Sequence, residues 1–209
     1  MKIVCLSDTH EKHEQLNLPK GDVLIHAGDF TWVGKEKPTL DFLDWFESQP
    51  FKHKIFVSGN HDFYFEQGRN LSRLKGRNLH YLMNSEVVLD HGLRIWGSPF
   101  TPEFMNWAFM GAPAASKPVW DKIPTPLDIL ITHGPPYQIL DRNMEGLSVG
   151  CPLLLEKVMA VKPKYHIFGH IHEGYGMREK GGVTFINASV CNADYHLVNQ
   201  PVVIELQEV

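Results

Sequence analysis

Residues of the types that bind transition metals follow five short apolar runs of this sequence. The seven candidate ligands are Asp8, His10, Asp29, Asn60, His133, His170 and His172. Imidazole, carboxylate and amide groups without a thiolate suit Mn, Fe, Zn, Ni or Co rather than a closed structural zinc site. Seven ligands suit two divalent ions that share a carboxylate, for which Asp29 is the candidate. Two ions about 3.5–4 Å apart clamp phosphoryl oxygens and activate a bridging water, so the set predicts phosphoester hydrolysis.

A proton donor is predicted beside one of these ligands. Hydroxide bridging two metals would attack phosphorus without a protein base, but the departing alkoxide still requires a proton. His61 directly follows Asn60 and is placed to supply that proton, and Asp62 is expected to orient the His61 imidazole. We therefore predict His61 and Asp62 as catalytic residues, and we expect Asn60, His61 and His133 to contact the substrate.

Each of these residues also has a simpler interpretation. A single Asp at a strand end is usually a turn or cap residue, and most of the 12 histidines are expected in the core or on the surface. We assign that ordinary role to His13, His53, His80, His91 and His196. Strand alternation directs His26 away from Asp29 and favours a core hydrogen bond over metal binding. The joint occurrence of ligand types after five runs favours the metal site.

The apolar runs that precede the candidate ligands have the composition of buried strands. They lie at residues 3–6, 23–27, 55–57, 129–131 and 167–168. If these strands lie side by side, their carboxyl ends deliver the ligands to one crevice. In Asp8-Thr9-His10 and in His170-Ile171-His172, an extended backbone would direct both candidates to the same side.

Helical patterns separate some of these runs. One helix is predicted between Pro38 and Pro50 and another between Pro152 and Pro163, because proline suits the first turn of a helix and the positions beyond its end. Three later runs have less helix between them and predict antiparallel strand pairs. They lie at 93–97, 183–187 and 202–206. The expected fold is α/β, with two packed mixed β-sheets flanked by helices.

Composition and charge limit the class of protein. Apolar residues make up 43% and charged residues 21% of the chain, as in globular proteins. The net charge of −4 gives no reason to expect a nucleic-acid polymer as partner. Cys5, Cys151 and Cys191 are an odd number without a CxxC pair, which argues against a disulfide framework. No run resembles a signal peptide or approaches the ~20 apolar residues that span a bilayer, so we expect a cytoplasmic protein without a membrane partner.

No repeat or linker divides the chain, so we expect one domain over residues 1–209. Within it, residues 99–126 form an insert rich in proline and aromatic residues. These rings could form a rim on which a nucleobase or aryl group stacks, or they could pack the insert onto the core. Both interpretations stay open for Trp107 and Phe109, whereas core packing is favoured for Trp120.

The motif blocks together resemble the calcineurin-like metallophosphoesterase family. They read Asp8-x-His10, Gly28-Asp29, Gly59-Asn60-His61-Asp62, Thr132-His133 and Gly169-His170-x-His172, in the family order. The resemblance implies a four-layer sandwich with His61 as the catalytic acid. One metal would be held by Asp8, His10, Asp29 and His172. The other would be held by Asp29, Asn60, His133 and His170.

Further stretches resemble the metallophosphoesterase-domain-containing (MPPED-type) branch of that family. They lie at 97–104, 106–109, 132–136, 149–151, 172–176 and 187–189. This resemblance implies a phosphodiesterase for small phosphodiesters or nucleotides, cyclic nucleotides among them, with Mn as the first candidate metal. The alternatives are a weakly active regulatory protein that binds nucleotide or metal, and a structural metal protein. The presence of His61 favours the enzyme, because a binding protein needs no proton donor there.

Overall fold

Two large mixed β-sheets form the centre of the molecule in a computed structural model that describes residues 1–206. The strands are β1 (Lys2–Leu6), β2 (Val23–His26), β3 (His53–Phe56), β4 (His80–Tyr81), β5 (Ser85–Val88), β6 (Arg94–Ser98), β7 (Thr101–Pro102), β8 (Met110–Gly111), β9 (Ile129–Thr132), β10 (Tyr165–Phe168), β11 (Gly176–Lys180), β12 (Val183–Asn187) and β13 (Val202–Glu205). The α-helices are α1 (Glu36–Ser48), α2 (Pro113–Trp120) and α3 (Pro152–Val161). Short 3-10 helices lie in several of the connecting loops.

The strand order brings the carboxyl ends of parallel strands to one edge of each sheet. The first sheet has the order β13-β1-β2-β3-β4, and the second has the order β11-β12-β10-β9-β6-β5. Strands β1 to β4 pair in parallel, as do β6, β9, β10 and β12. The antiparallel pairs are β13 with β1, β11 with β12, and β5 with β6. The antiparallel pairing predicted for the three later runs is therefore confirmed.

Alternation along the strands divides the apolar side chains among three core layers. In β1, Ile3 packs between the two sheets, whereas Val4 packs toward α1. In β9, Ile129 packs between the sheets and Leu130 packs toward α2 and α3, with Trp120. The layers therefore run helix, sheet, sheet, helices, and the predicted sandwich is confirmed.

The two predicted helices form where proline was expected to limit them. Helix α1 contains Pro38 in its first turn and ends at Ser48, and α3 begins at Pro152 and ends at Val161. At the start of α3, the thiol of Cys151 accepts a hydrogen bond from the Leu154 amide, 3.4 Å away, and caps the helix.

No helix of residues 1–206 has both the length and the apolar character needed to cross a bilayer.

The insert at 99–126 contains helix α2, which was not predicted from the sequence. Some aromatic residues of the insert pack in the core, and Trp107 lies at the candidate site. Trp120 is buried, and its indole N–H donates to Cys151 Sγ at 3.4 Å, so the favoured core role is confirmed. Phe109 packs at the border of the core layer beneath α1. Trp107 lies elsewhere, with its ring centroid 4.3 Å from that of His61.

Candidate metal centre

The loops that follow five parallel strands bring the candidate ligands together. Asp8 and His10 follow β1, Asp29 follows β2, and Asn60 follows β3 in the first sheet. In the second sheet, His133 follows β9, and His170 and His172 follow β10. Three groups have potential ligand atoms within 4.8 Å of one another: Asp8 with His10 and His172, His10 with Asp29 and His61, and Asp29 with His133 and His170. The structure thus places the seven predicted ligands and His61 in one site.

Asp29 lies at the centre of this site. Its Oδ2 atom is 3.3 Å from His133 Nε2, 3.9 Å from His61 Nε2 and 4.0 Å from His10 Nε2. Its other oxygen, Oδ1, accepts a hydrogen bond from the His61 amide at 2.9 Å. One carboxylate oxygen is therefore surrounded by imidazoles that come from different strand ends, so Asp29 can contribute to a divalent metal site.

Asp8 forms the second acidic centre. His172 Nε2 lies 3.4 Å from its Oδ1 atom, and the His170 amide donates to both carboxylate oxygens at 3.1 Å. The hydroxyl of Ser189 donates to Oδ2 at 2.5 Å. These contacts hold the Asp8 carboxylate in one orientation, with its free lone pairs toward the histidines.

Backbone carbonyls select the tautomers of two histidines. Nδ1 of His133 donates to the Ala27 carbonyl at 2.8 Å, and Nδ1 of His172 donates to the Asn192 carbonyl at 2.9 Å. Each Nε2 atom therefore faces the site. His133 Nε2 lies 3.0 Å from Asn60 Oδ1, and two acceptor atoms at this distance require a cation or a proton between them.

Electrostatics within the site fit metal binding. Burial lowers the pKa of His10 and of His170 to about 4, so both rings are neutral and can act as ligands at pH 7. Burial also opposes the charged form of His133 and of His172. A neighbouring carboxylate outweighs it and raises each pKa to about 9, Asp29 beside His133 and Asp8 beside His172. Divalent metal binding can replace these two protons, because the same lone pairs and carboxylates are available as ligands.

The expected role of Asp62 is wrong. Its carboxylate does not contact the His61 ring but accepts hydrogen bonds from the backbone amides of Asp29, Thr31 and Gly59 at 2.8–2.9 Å. The Thr31 hydroxyl donates a further bond at 2.7 Å. Burial, together with the charge of Asp29, raises the pKa of Asp62 to about 7, while these hydrogen bonds act in the opposite direction. Asp62 therefore ties the loop after β2 to the loop after β3.

The group that orients His61 is a backbone carbonyl. His61 Nδ1 lies 2.7 Å from the Trp32 oxygen and donates to it, so Nε2 faces the site. The Trp107 ring packs on the imidazole at a centroid distance of 4.3 Å and an interplanar angle of 36°. Trp32 was missed because a backbone carbonyl can come from any residue type and leaves no signal in the sequence.

The local backbone also differs from the expected geometry. Asp8, His10 and His170 have φ values of +56°, +41° and +69°, so these residues are left-handed rather than extended. Asp29 shares this conformation, with φ +57°. The left-handed region is strained for residues other than glycine, and such strain is common where surrounding contacts position functional side chains. The chain therefore turns sharply after β1, β2 and β10, and these turns help the ligands converge.

Glycine in the Gly59-Asn60 block permits close packing beside the Asp29 carboxylate. A Cβ atom at Gly59 would lie 2.5 Å from the Asp29 backbone nitrogen and 2.6 Å from His133 Cε1. Gly59→Ala should therefore destabilise the protein by about 3 kcal/mol, through overpacking that the rigid backbone cannot relieve, and should reduce bound metal. Urea unfolding and metal analysis measure both effects.

The matched control for that variant is Gly76→Ala. Its new methyl group meets nothing within 4 Å, although φ is +79°. This variant should lower the free energy of unfolding by only about 1 kcal/mol, because alanine is less stable than glycine in a left-handed conformation. Its metal content should not change. Equal losses of stability and metal in the two variants would contradict the packing argument at Gly59.

A loop beyond the last motif completes the site. In addition to Ser189 and Asn192, Tyr195 packs against His10 and His172, with centroid distances of 4.9 and 5.2 Å. Lys12 donates to the Tyr195 carbonyl and holds the loop in place. Sequence reasoning did not find Tyr195, since a tyrosine in a loop after β12 carries no spacing signal. The loop nevertheless encloses one side of the centre.

The other predicted histidines lie outside these groups. His26 is buried, with Nε2 3.0 Å from Thr9 Oγ1, which confirms its core role. None of the five histidines assigned to the core or surface belongs to a metal-binding group of residues 1–206. His166, for which no role was predicted, is buried with Nε2 2.8 Å from Thr132 Oγ1.

A cavity of about 300 Å³ opens over the candidate metal site. Its base includes Asp29, Asn60, His61, His170 and His172. Its rim includes Phe104, Met105, Trp107, Met144, Glu173 and Tyr195. The cavity can therefore admit a small molecule, with aromatic and methionine side chains among its lining residues.

Comparisons with known proteins agree with this geometry. The family model for calcineurin-like phosphoesterases matches residues 1–174. Metallophosphoesterase domain-containing protein 1 of Homo sapiens is 42% identical, over 98% of this chain and 71% of the human protein. A UPF0046 protein of Caenorhabditis elegans is 38% identical, over 99% of this chain and 81% of its own length.

A solved structure shows the same fold at low sequence identity. The phosphopantetheinyl hydrolase of Mycobacterium tuberculosis has a TM-score of 0.61 at 16% identity, covering 93% of this chain and 90% of that one. Because the family model spans most of the chain and the relatives align over nearly all of it, this protein belongs to the calcineurin-like phosphoesterase family.

Proposed function

We propose that this protein is a phosphodiesterase that acts on small phosphodiesters with two divalent transition-metal ions, Mn²⁺ being the first candidate. The observation that carries the proposal is the position of Asp29 Oδ2, within 4.0 Å of ring nitrogens of His10, His61 and His133. A shared carboxylate of this kind is what two adjacent ions require. Asp8, His10 and His172 would hold one ion with Asp29. Asn60, His133 and His170 would hold the other with Asp29.

The protein's own groups would position the substrate and supply the proton. Bound divalent ions polarise phosphoryl oxygens and lower the pKa of coordinated water. His61 presents Nε2 to the site because Trp32 holds its Nδ1, and from its protonated form the ring would donate the Nε2 proton to the leaving oxygen. Trp107 covers one face of the His61 ring and limits its rotation. Asn60, which lines the cavity, and His133, whose Nε2 lies 3.0 Å from Asn60 Oδ1, would border the phosphoryl group.

Diesters are favoured over monoesters by the charge of the cavity. A monoester dianion usually requires additional cationic donors around the phosphoryl oxygens. No Lys or Arg lines the cavity over the metal site among residues 1–206. We expect kcat/KM for an aryl phosphodiester to exceed that for the matching monoester by about tenfold. Methyl p-nitrophenyl phosphate and p-nitrophenyl phosphate, each assayed with Mn²⁺ and again with Ni²⁺ or Co²⁺, measure the ratio.

The controls for this assay separate the enzyme from other family functions. Chelation of the metals should abolish turnover of both esters, and the added metal should restore it. A monoester preference with every metal would overturn the diesterase proposal. Metal binding without turnover of either ester, or of a cyclic nucleotide, would favour the weakly active regulatory protein instead.

The buried thiols bear on the proposed location. Cys5, Cys151 and Cys191 are free and buried. Free thiols persist in reducing compartments, which supports our proposal that the protein acts in the cytoplasm.

A further inference from the structure

A second cavity, of about 710 Å³, adjoins the cavity over the metal site. The two share Phe104, Met144, His170 and Glu173, but His61 lines only the first. We call the second cavity the acidic groove and define it by Glu103, Phe104, Met144, Glu145, Val149 and Glu173. A phosphodiester with its leaving group beside His61 would direct its other ester arm toward this groove.

The walls of the acidic groove are apolar and exposed. Phe104 is 61% exposed and Met144 is 79% exposed, and Val149 lies next to them with part of its surface open to solvent. Large apolar side chains grouped around a cavity mark a binding surface more often than scattered ones do. Methionine adapts to varied apolar shapes, and an aromatic face attracts cations. The walls thus suit an apolar arm.

Hydrogen bonds hold the rim of the groove in its shape. Asn143 Oδ1 accepts from the amides of Glu145 and Leu147 at 3.1 and 3.0 Å. Asp141, which is buried, accepts from the Gly150 amide at 2.9 Å. These side chains accept hydrogen bonds from backbone amides of the same loop. Met144 and Glu145 therefore lie on a turn that is already formed without a ligand.

The charge of the groove has one sign. Glu103, Glu145 and Glu173 line it, and none of them forms an ion pair with a Lys or Arg among residues 1–206. No lysine or arginine of that range lines the groove. A negative field beside the metal site repels a second anionic group on the substrate and attracts a cationic one.

We propose that the acidic groove selects phosphodiesters whose retained ester arm is a short alkylammonium group. Such an arm combines apolar carbons, which suit the walls, with a positive charge, which suits the glutamates. This inference rests on the proposed phosphodiesterase function. In the reaction, a water oxygen bonds to phosphorus, the P–O bond to the leaving group breaks, and the leaving oxygen takes a proton. The arm in the groove stays bonded to phosphorus, so the product is its phosphomonoester.

The test compares three p-nitrophenyl phosphodiesters that differ only in the charge of the retained arm. They carry choline, its neutral 3,3-dimethylbutyl isostere, or a carboxyalkyl arm of similar length. We expect kcat/KM to be about tenfold higher for the choline ester than for the isostere, and lowest for the anionic ester. The preference should shrink as ionic strength rises, because the glutamates are exposed.

The variant Glu103→Gln/Glu145→Gln should reduce the preference for the choline ester to about twofold, without lowering kcat/KM for the neutral isostere. The control Glu156→Gln, on an exposed residue of α3 that does not line the groove, should change neither. Equal kcat/KM values for the choline and neutral esters in the wild-type protein would overturn the inference and leave the diesterase standing. No turnover of any of the three would overturn both proposals.

Two further substrates distinguish the source of such an arm. Glycerophosphocholine presents the cationic ester in soluble form, and phosphatidylcholine vesicles present it as a lipid headgroup. We expect hydrolysis of the soluble ester with the same loss in the double variant. Activity confined to the vesicles would assign the groove to a headgroup, and activity on neither would overturn the selection of alkylammonium arms.

Discussion

Asp29→Asn should abolish the binding of at least one metal ion and lower phosphodiesterase activity by about 10³-fold or more. The substitution keeps the shape of the side chain, and the carbonyl oxygen can still accept from the His61 amide, 2.9 Å from the native Oδ1. It removes the negative charge that lies within 4.0 Å of three imidazole nitrogens. The proposed shared ligand therefore loses its charge without a large loss of packing.

The measurement is the number of metal ions per chain by mass spectrometry, together with kcat/KM for methyl p-nitrophenyl phosphate. Asp128→Asn is the matched control, since Asp128 precedes β9, away from the centre, and accepts from the Arg94 amide at 3.0 Å. It should retain two ions and full activity. Two ions per chain in Asp29→Asn would exclude the bridging role.

His61→Ala has the second largest expected effect. Without a proton donor, turnover of phosphodiesters with alkyl leaving groups should fall by about 10²–10⁴-fold. An activated p-nitrophenolate leaves without full protonation, so the loss on aryl esters should be much smaller. Both metal ions should remain, because His61 lies outside the two proposed ligand sets.

Comparing alkyl and aryl leaving groups at one metal concentration measures this difference. His53→Ala is a suitable control, because His53 pairs with Asp90 at 2.8 Å, away from the site. It should leave both rates unchanged. Equal losses on the two ester types in His61→Ala, with metals intact, would exclude the proton-donor role.

The layered fold could be predicted because its signals are local. Runs rich in β-branched residues, such as 129–131, alternate between two buried faces, and proline marks the starts of α1 and α3. Helix α2 escaped prediction because its segment, with prolines at 113 and 118, reads as a loop. The sequence of this segment has little helical periodicity. In the structure, α2 packs against α3 and β7.

The position of each candidate ligand after a strand was visible in the sequence, but its orientation was not. Parallel pairing predicts that strand ends meet, so Asp29 and His133 were expected to be close. The extended geometry expected for Asp8 and His170 was wrong, since both are left-handed. Residue spacing encodes the alternation of a regular strand, whereas these residues lie in turns whose dihedral angles depend on distant hydrogen bonds.

The sequence by itself determined the sandwich and the residue types that meet at its strand ends. Both follow from local patterns, namely the alternation of apolar residues along a strand and the polar residues directly after it. Only the tertiary structure decided that Trp32 orients His61, that Asp62 joins two loops, and that Tyr195 encloses the centre. These contacts join residues far apart in the chain, and backbone groups make several of them. Their specificity arises from packing geometry, which a single sequence does not display.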